Sequence, residues 1–231
     1  MTWAMTAESD GATVGHSARQ TRHVYVIDDD ADVRKSVHFL LLVSAVRAWP
    51  FARALDFIEQ LNDLVPAPIL LDLRMPDIDG LHLLEILKQR GVHWPVIVMT
   101  AHGDIPAAVR AMKLGAIEFL EKPFQPDALD HALAQGYTLI DRMTRQQCER
   151  DEGRRLLAQL TSREREVVAA LTEGVQNKIV AHRLGISART VEHHRANALA
   201  KLGIKSIAEV LALLVSAEWS SMYSVAPGAR A

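Results

Sequence analysis

Four short apolar runs, each ending on a polar group, constrain this chain more than any other feature. Val24-Tyr25-Val26-Ile27 runs into Asp28-Asp29-Asp30, and Ile69-Leu70-Leu71 ends on Asp72. Val96-Ile97-Val98-Met99 runs into Thr100, and Phe119-Leu120-Glu121, from a strand over 117–120, runs into Lys122-Pro123. Runs of this length and composition suit strands buried on both faces. Read alone, residues 69–78 are equally a strand capped by a solvated aspartate. Read together, the four runs say more. In an open parallel sheet the carboxyl ends of the strands gather at one edge, where ligands bind. That edge would collect the carboxylates of Asp28, Asp29 and Asp72, the hydroxyl of Thr100 and the ammonium of Lys122.

The intervals between the runs have a helical period. Asp30 or Ala31 opens a helix carrying Val33, Val37, Leu40 and Leu41. A short second strand over 46–49 is stopped by Pro50, and a second helix covers 54–61. Helices over 80–90 and 105–114 are ended by Gly91 and Gly115, as C-terminal glycines should. The last helix starts near Pro126 and reaches about Met143. Strand and helix alternating five times in about 120 residues predict a doubly wound α/β domain on a five-stranded parallel sheet, over residues 23–143.

Beyond it the pattern changes. Residues 144–157 (TRQQCERDEGRRLL) are charged and almost without apolar period. They are expected to be a linker, or else to prolong the preceding helix as a solvated rod. From Leu160 the chain reads as all-helical. Thr161-Ser162-Arg163-Glu164 is a capping box opening a helix to Thr172, with Gly174 beyond it. Asn177 caps a short helix to Leu184, Gly185 makes the turn, Ile186 packs inward, and Ser187 caps a helix to about Leu202. Gly203 ends that helix, and Ser206-Ile207-Ala208-Glu209 is a second capping box for a helix to about Ala217. Residues 158–218 thus form an all-α four-helix domain around a helix-turn-helix. Residues 1–22 and 219–231 read as disordered tails, and either Met1 or Met5 could be the start.

Charge divides along the same line. From Arg150 to Glu218 there are 11 Lys+Arg against 8 Asp+Glu, and the remainder holds 15 against 20. An acidic half joined to a basic half points to two jobs, with polyanion binding in the second. The single cysteine, Cys148, excludes an internal disulfide framework and fits a reducing cytoplasm. No apolar run reaches the roughly 18–20 residues of a membrane span, and the N-terminus lacks the order of a signal peptide. A cytoplasmic location without a membrane partner is expected.

Hard oxygen ligands at Asp28, Asp29 and Asp72 suit Mg²⁺. Asp30 has a simpler reading as a helix N-cap. Capping does not explain why separate strands deliver acids to one edge; clustered carboxylates repel, and a divalent cation relieves that. Lys122, restrained by Pro123, could neutralise an anion there. Thr100 offers a hydroxyl, and Ala101 leaves room for a tetrahedral group. A lone lysine is commonly a surface residue and a lone threonine a strand residue. Jointly these groups are equipment for making and holding an aspartyl-phosphate. On the helix after Ser187, Val191, Ala198 and Leu202, flanked by Leu199, make an apolar stripe. Arg189, Glu192, His193 and Ala196 lie opposite it, and Thr190, His194, Asn197 and Lys201 run along one flank. A polar face with a small residue at its centre can enter a major groove while its flank donates to phosphates. The same pattern also fits an ordinary solvated helix face.

At these residues the chain resembles known families. Residues 23–142 are similar to the receiver domain of bacterial two-component response regulators. The signature is Asp28-Asp29, Asp72 followed by Met75-Pro76 and Gly80, Thr100-Ala101, and Lys122-Pro123-Phe124. The resemblance implies a flavodoxin-like fold with Asp72 as phosphoacceptor. It implies Mg²⁺ held by Asp28, Asp29, Asp72 and the backbone carbonyl of Arg74, with Thr100 and Lys122 against the phosphoryl group. It also implies a cis Lys122-Pro123 bond, which proline permits. Phe119 matches the switch aromatic and, lacking a phenol hydroxyl, would report its state by burial alone; plain strand core is its other reading.

Residues 160–217 resemble the LuxR-type helix-turn-helix output domain. The match runs through Leu160-Thr161, Arg163-Glu164, Gly174, Asn177-Lys178, Ala181, Leu184-Gly185-Ile186-Ser187, Thr190-Val191, His194, Asn197 and Lys201-Leu202. Receiver and output together are similar to the FixJ/NarL class, and His102-Gly103-Asp104 with the context of Asn197 lean toward its FixJ branch. The resemblance implies a phosphorylation-activated DNA-binding transcription regulator rather than an enzyme, although the receiver would assist its own phosphorylation and dephosphorylation. A sensor histidine kinase would be the phosphodonor, and the phosphorylated form a homodimer, with RNA polymerase a further partner. Double-stranded DNA would meet Lys178, Arg189, Thr190, Glu192, His193, His194, Asn197 and Lys201. Glu192 with His193 at base-facing positions is a departure: an acid there can accept from a cytosine amino group but weakens general DNA affinity. Two rivals stand beside this reading. One is a phosphorylation-independent DNA binder, the other a phosphohydrolase using Asp72 as nucleophile.

Overall fold

The computed structural model describes residues 22–101 and 105–217. The expected tails, apart from Arg22, and the stretch His102-Gly103-Asp104 lie outside the described residues. The chain divides into two compact units, Met1–Ile140 and Asp141–Ala231.

The first unit is a five-stranded parallel sheet in the order β2-β1-β3-β4-β5. Its strands are β1 (His23–Ile27), β2 (Arg47–Phe51), β3 (Ile69–Asp72), β4 (Val96–Ala101) and β5 (Glu118–Lys122). Between and after them come α1 (Ala31–Val43), α2 (Ala54–Gln60), α3 (Gly80–Gln89), α4 (Ile105–Leu114) and α5 (Pro126–Ala158). Strand residues alternate between two cores, as a pleat with both faces covered requires. Tyr25, Ile27, Ile69, Leu71, Val96 and Val98 meet Phe57 of α2, Leu83 and Leu87 of α3 and Ala111 of α4. Val24, Val26, Leu70, Ile97 and Met99 meet Val37 and Leu41 of α1 and Leu129 and Leu133 of α5. Each fully buried Val, Leu, Ile, Phe or Met among these stabilises the sheet by about 1.5–3 kcal/mol.

β2 runs through Pro50, where the sequence reading stopped it. The edge position is the reason. The Arg47 amide donates to the Arg22 carbonyl at 2.9 Å, and the Phe51 carbonyl accepts from the Asp28 amide at 3.2 Å. Odd-numbered residues of β2 therefore face β1, and Pro50 turns its nitrogen away from the sheet, where no ladder bond is lost. β5 also differs from the expected 117–120, since it continues to Lys122, paired with Ala101. The Lys122-Pro123 bond is cis.

In the second unit, α6 (Ser162–Thr172), α7 (Asn177–Leu184), α8 (Ala188–Leu202) and α9 (Ile207–Ser216) follow the last turns of α5. The sequence puts the end of this helix near Met143, with 144–157 either a linker or a prolongation of the helix; the second alternative is the one that forms, since α5 continues to Ala158. Its end is core. Leu157 is 1% exposed and packs with Val168, Ala198, Leu202, Val210 and Ala217. A methyl at Gly153 would meet Ala217 Cβ at 3.1 Å and Leu213 Cδ1 at 3.3 Å, so α5 lies close against the end of α9. The capping box at Thr161 forms with both reciprocal bonds. Asn177 is not a cap: Gln176 holds that position, without a side-chain hydrogen bond. Ser206 Oγ accepts from the Glu209 amide, and the Glu209 carboxylate accepts from the Ser206 hydroxyl at 2.8 Å and from the Lys205 amide at 3.2 Å. Gly185 and Gly203 end α7 and α8 with positive φ, of 64° and 68°, where a Cβ is costly.

Candidate functional site

The order of the sheet sets the site. The chain leaves β1 for β2 on one side and returns to β3 on the other, which opens a crevice at the carboxyl ends of β1 and β3. Asp28 and Asp72 stand there, 0% and 6% exposed. Lys122 reaches across from β5. Its ammonium donates to Asp28 Oδ2 at 2.7 Å and to Asp72 Oδ1. The other oxygen of each acid is held by backbone: the Asp30 amide donates to Asp28 Oδ1 at 2.9 Å, and the Arg74 amide to Asp72 Oδ2 at 2.7 Å. Thr100, buried, is the next-to-last residue of β4 and follows Met99, which pairs with Asp72. Asp29 is exposed and faces an open depression of about 560 Å³, lined also by Arg74, Met75, Pro76 and Asp79. Asp30 caps α1, accepting from the Asp32 and Val33 amides.

Burial pushes the Asp28 carboxyl up from its ordinary value, and the bond and charge of Lys122 oppose this without cancelling it. Burial also works against the Lys122 ammonium, but its bonds to Asp28 and Asp72 outweigh that and hold it above the ordinary lysine value. Two buried carboxylates thus share one ammonium, with a third carboxylate beside them. Among the described residues no three acidic, histidine or cysteine side chains already converge as a metal cage. The donor set nonetheless fits Mg²⁺ in kind. It is hard oxygen, with more negative charge than Lys122 offsets, and Mg²⁺ needs only one or two carboxylates because it keeps several waters.

Several contacts around this edge go beyond what the sequence motifs specify. Arg34 Nη1 donates to the Asp28 carbonyl at 2.6 Å. Gly80 is required by space: a Cβ there would lie 2.4 Å from the Asp72 carbonyl oxygen, and its amide donates to Leu73 at 3.0 Å. Asp77, nine-tenths buried, accepts from the Leu55 amide at 3.1 Å. Phe119 is 47% exposed, so it is not strand core; Val109 and Met112 of α4 are exposed too.

In the second unit, Ser187 caps α8 and accepts from the Thr190 amide at 3.1 Å. Val191, Ala198 and Leu202 are buried, which turns Arg189, Glu192, His193 and Ala196 outward. Thr190, His194 and Asn197 are half-buried on the flank, and Lys178 is exposed on α7. Asn197 Nδ2 lies 3.1 Å from His193 Nε2. Lys201 is already engaged, donating at 2.7 Å to Glu164, which is 4% exposed. No helix among the described residues is long and apolar enough to cross a membrane.

Comparison with known proteins agrees with both halves. The family described as the response regulator receiver domain matches residues 24–134, and the luxR family of bacterial regulatory proteins matches 158–214. The chain is 44% identical over 194 residues to the transcriptional regulatory protein FixJ of Azorhizobium caulinodans, covering 84% of this chain and 92% of that one. It is 35% identical over 190 residues to the tetrathionate response regulatory protein TtrR of Salmonella typhimurium, covering 81% and 89%. Among solved structures, the response regulator StyR superposes with a TM-score of 0.73 at 38% identity, covering 84% of this chain and 98% of that one. Full-length FixJ from B. japonicum gives 0.53 at 37% identity, covering 86% and 98%. Receiver domains generally bind Mg²⁺ at their phosphorylation site, and the two matched domains imply a sensor kinase and DNA as partners. A strand-end acid site in one unit, a helix-turn-helix in the other and relatives alike along most of their length lead to one conclusion: the chain belongs to the FixJ/NarL class of two-component response regulators, transcription regulators activated by phosphorylation.

Proposed function

We propose that Asp72 is the phosphoacceptor and that its modification turns the chain into a DNA-binding homodimer. The observation that carries this is the pair of buried acids, Asp28 and Asp72, bridged by Lys122 at the carboxyl edge of the sheet. In the transfer, an Asp72 oxygen forms a bond to phosphorus as the P–N bond of a phosphohistidine on the sensor kinase breaks. The electron pair leaves with the imidazole, which takes up a proton. Lys122 and the Thr100 hydroxyl then donate to phosphoryl oxygens. Asp28, Asp29, Asp72 and the Arg74 carbonyl would hold Mg²⁺, which supplies positive charge to those oxygens. The same edge assists phosphorylation and, once water attacks the aspartyl-phosphate, its loss.

New negative charge needs new donors. Thr100 moves toward the phosphate, Phe119 turns inward, and the face of α4 and β5 that carries Val109 and Met112 becomes self-complementary. The dimer places two copies of α8 on a two-fold DNA site. Arg189, Glu192 and His193 face the bases, while Thr190, His194, Asn197, Lys178 and Lys201 lie toward phosphates. RNA polymerase is the further partner of a regulator so placed, and the cytoplasm its compartment.

The test measures oligomeric state and DNA binding before and after incubation with Mg²⁺ and acetyl phosphate, in wild type and Asp72→Asn. Dimer and specific binding should appear in wild type alone. The same response in both proteins would remove Asp72 from the mechanism. No response in either would leave a constitutive DNA binder.

A further inference from the structure

α2 begins without a cap of its own. Its N-cap residue, Arg53, makes no side-chain cap bond, so the first amides of the helix look elsewhere for acceptors. One acceptor comes from 22 residues away: Asp77 Oδ2, at 3.1 Å from the Leu55 amide. Arg53 Nε lies 3.9 Å from the same oxygen. The Asp77 side chain is 9% exposed, and its carboxylate is held by the backbone of Ile78 as well as by that of Leu55. A carboxylate is a costly group to bury merely to cap an exposed helix end. What distinguishes it is where it is tied. Asp77 directly follows Pro76 in the short segment between Asp72 and Asp79, the N-cap of α3. That segment contains the Arg74 amide bonded to Asp72 and the Arg74 carbonyl read above as facing the cation. It is pinned at its far end by Asp79 and Gly80, and at its middle by Asp77.

We propose that Asp77 is a positioning residue of the phosphoacceptor site. It clamps the loop after β3 to the first turn of α2 and so fixes the Arg74 peptide relative to Asp72. The inference rests on the reading of Asp72 as acceptor and of the Arg74 carbonyl as a ligand. Removing the clamp lets that peptide drift, which weakens cation binding before any phosphoryl chemistry begins. Groups that orient ligands in this way change metal affinity by roughly 10–100-fold when lost.

The test uses the full-length protein. Mg²⁺ is titrated calorimetrically with no phosphodonor present, phosphorylation by acetyl phosphate is timed at saturating Mg²⁺, and urea midpoints are taken without Mg²⁺. Asp77→Ala should weaken Mg²⁺ binding by about 10-fold and slow phosphorylation even when Mg²⁺ saturates. Asp77→Asn, which keeps an oxygen for the Leu55 amide, should recover most of both. An Asp77→Ala protein with wild-type Mg²⁺ affinity and rate overturns the proposal, whatever its urea midpoint. Hydrogen exchange in wild type covers the case in which Asp77→Ala does not fold. Mg²⁺ should slow exchange of the Leu55 amide together with that of Arg74, and an unchanged Leu55 overturns the clamp. Full phosphorylation of Asp72→Asn would instead overturn the acceptor reading itself.

Discussion

Glu164 shows how much one side chain can carry. Its carboxylate accepts from the Thr161 amide at 2.8 Å and from Lys201 at 2.7 Å, joining the start of α6 to the end of α8. Burial raises its affinity for a proton, but the bonds from Lys201 and Thr161 outweigh that and hold the carboxyl below the ordinary value. A carboxyl depressed on folding stabilises the fold above its unfolded value, about 4.3, and that contribution is lost as pH falls through the folded value. The helix-turn-helix unit should therefore lose stability as pH falls below about 4.3 and through the lower folded value. Glu164→Gln should cost about 1–3 kcal/mol at pH 7 and flatten that acid limb, as followed by thermal melts across pH. Gly80 is the counterpart in the first unit. Gly80→Ala forces a methyl onto the Asp72 carbonyl and should cost about 1–3 kcal/mol in urea unfolding while slowing phosphorylation of Asp72.

At the level of elements, strands and helices were legible wherever burial is periodic. The central strands β1, β3 and β4 carry unbroken apolar runs, and their polar ends, with Lys122 after β5's short Phe119-Leu120 pair, pointed to the edge where Asp28, Asp72 and Lys122 meet. The far half of α5 was legible only as one of two alternatives, because a helix that buries little over residues 144–152 has no apolar stripe to read. Polar spacing marks it instead: Gln147 reaches Asp151 at 3.1 Å, and Arg154 and Arg155 pair with Asp151 and Glu152 one turn back. Leu157→Ala should cost about 2–5 kcal/mol in the helix-turn-helix unit, measured by urea denaturation, because the side chain belongs to that core and not to a tether. Lys201 and Asp77 were illegible for another reason: their partners, Glu164 and Leu55, are distant in sequence. On α8, the outward position of Glu192 leads to an expectation of selectivity. Glu192→Lys should raise non-specific DNA binding and blur sequence preference in competition assays; unchanged selectivity would mean Glu192 does not reach a base.

For the whole molecule, the two units have separate cores, and the residues proposed to hold Mg²⁺ all lie in the first. A ligand that binds only the native state stabilises it by mass action, about 2.7 kcal/mol at a hundred times its Kd. Heating with and without Mg²⁺ should move the receiver transition upward and leave that of the helix-turn-helix unit in place. Pro50 has a consequence on the same scale. β2 is an outer strand, and an outer strand is a template on which another chain can extend the sheet. Because odd-numbered residues face β1, the outward amides of β2 belong to Ala48 and to position 50, and proline leaves position 50 without one. A ribbon of receivers cannot propagate from a margin with a single donor.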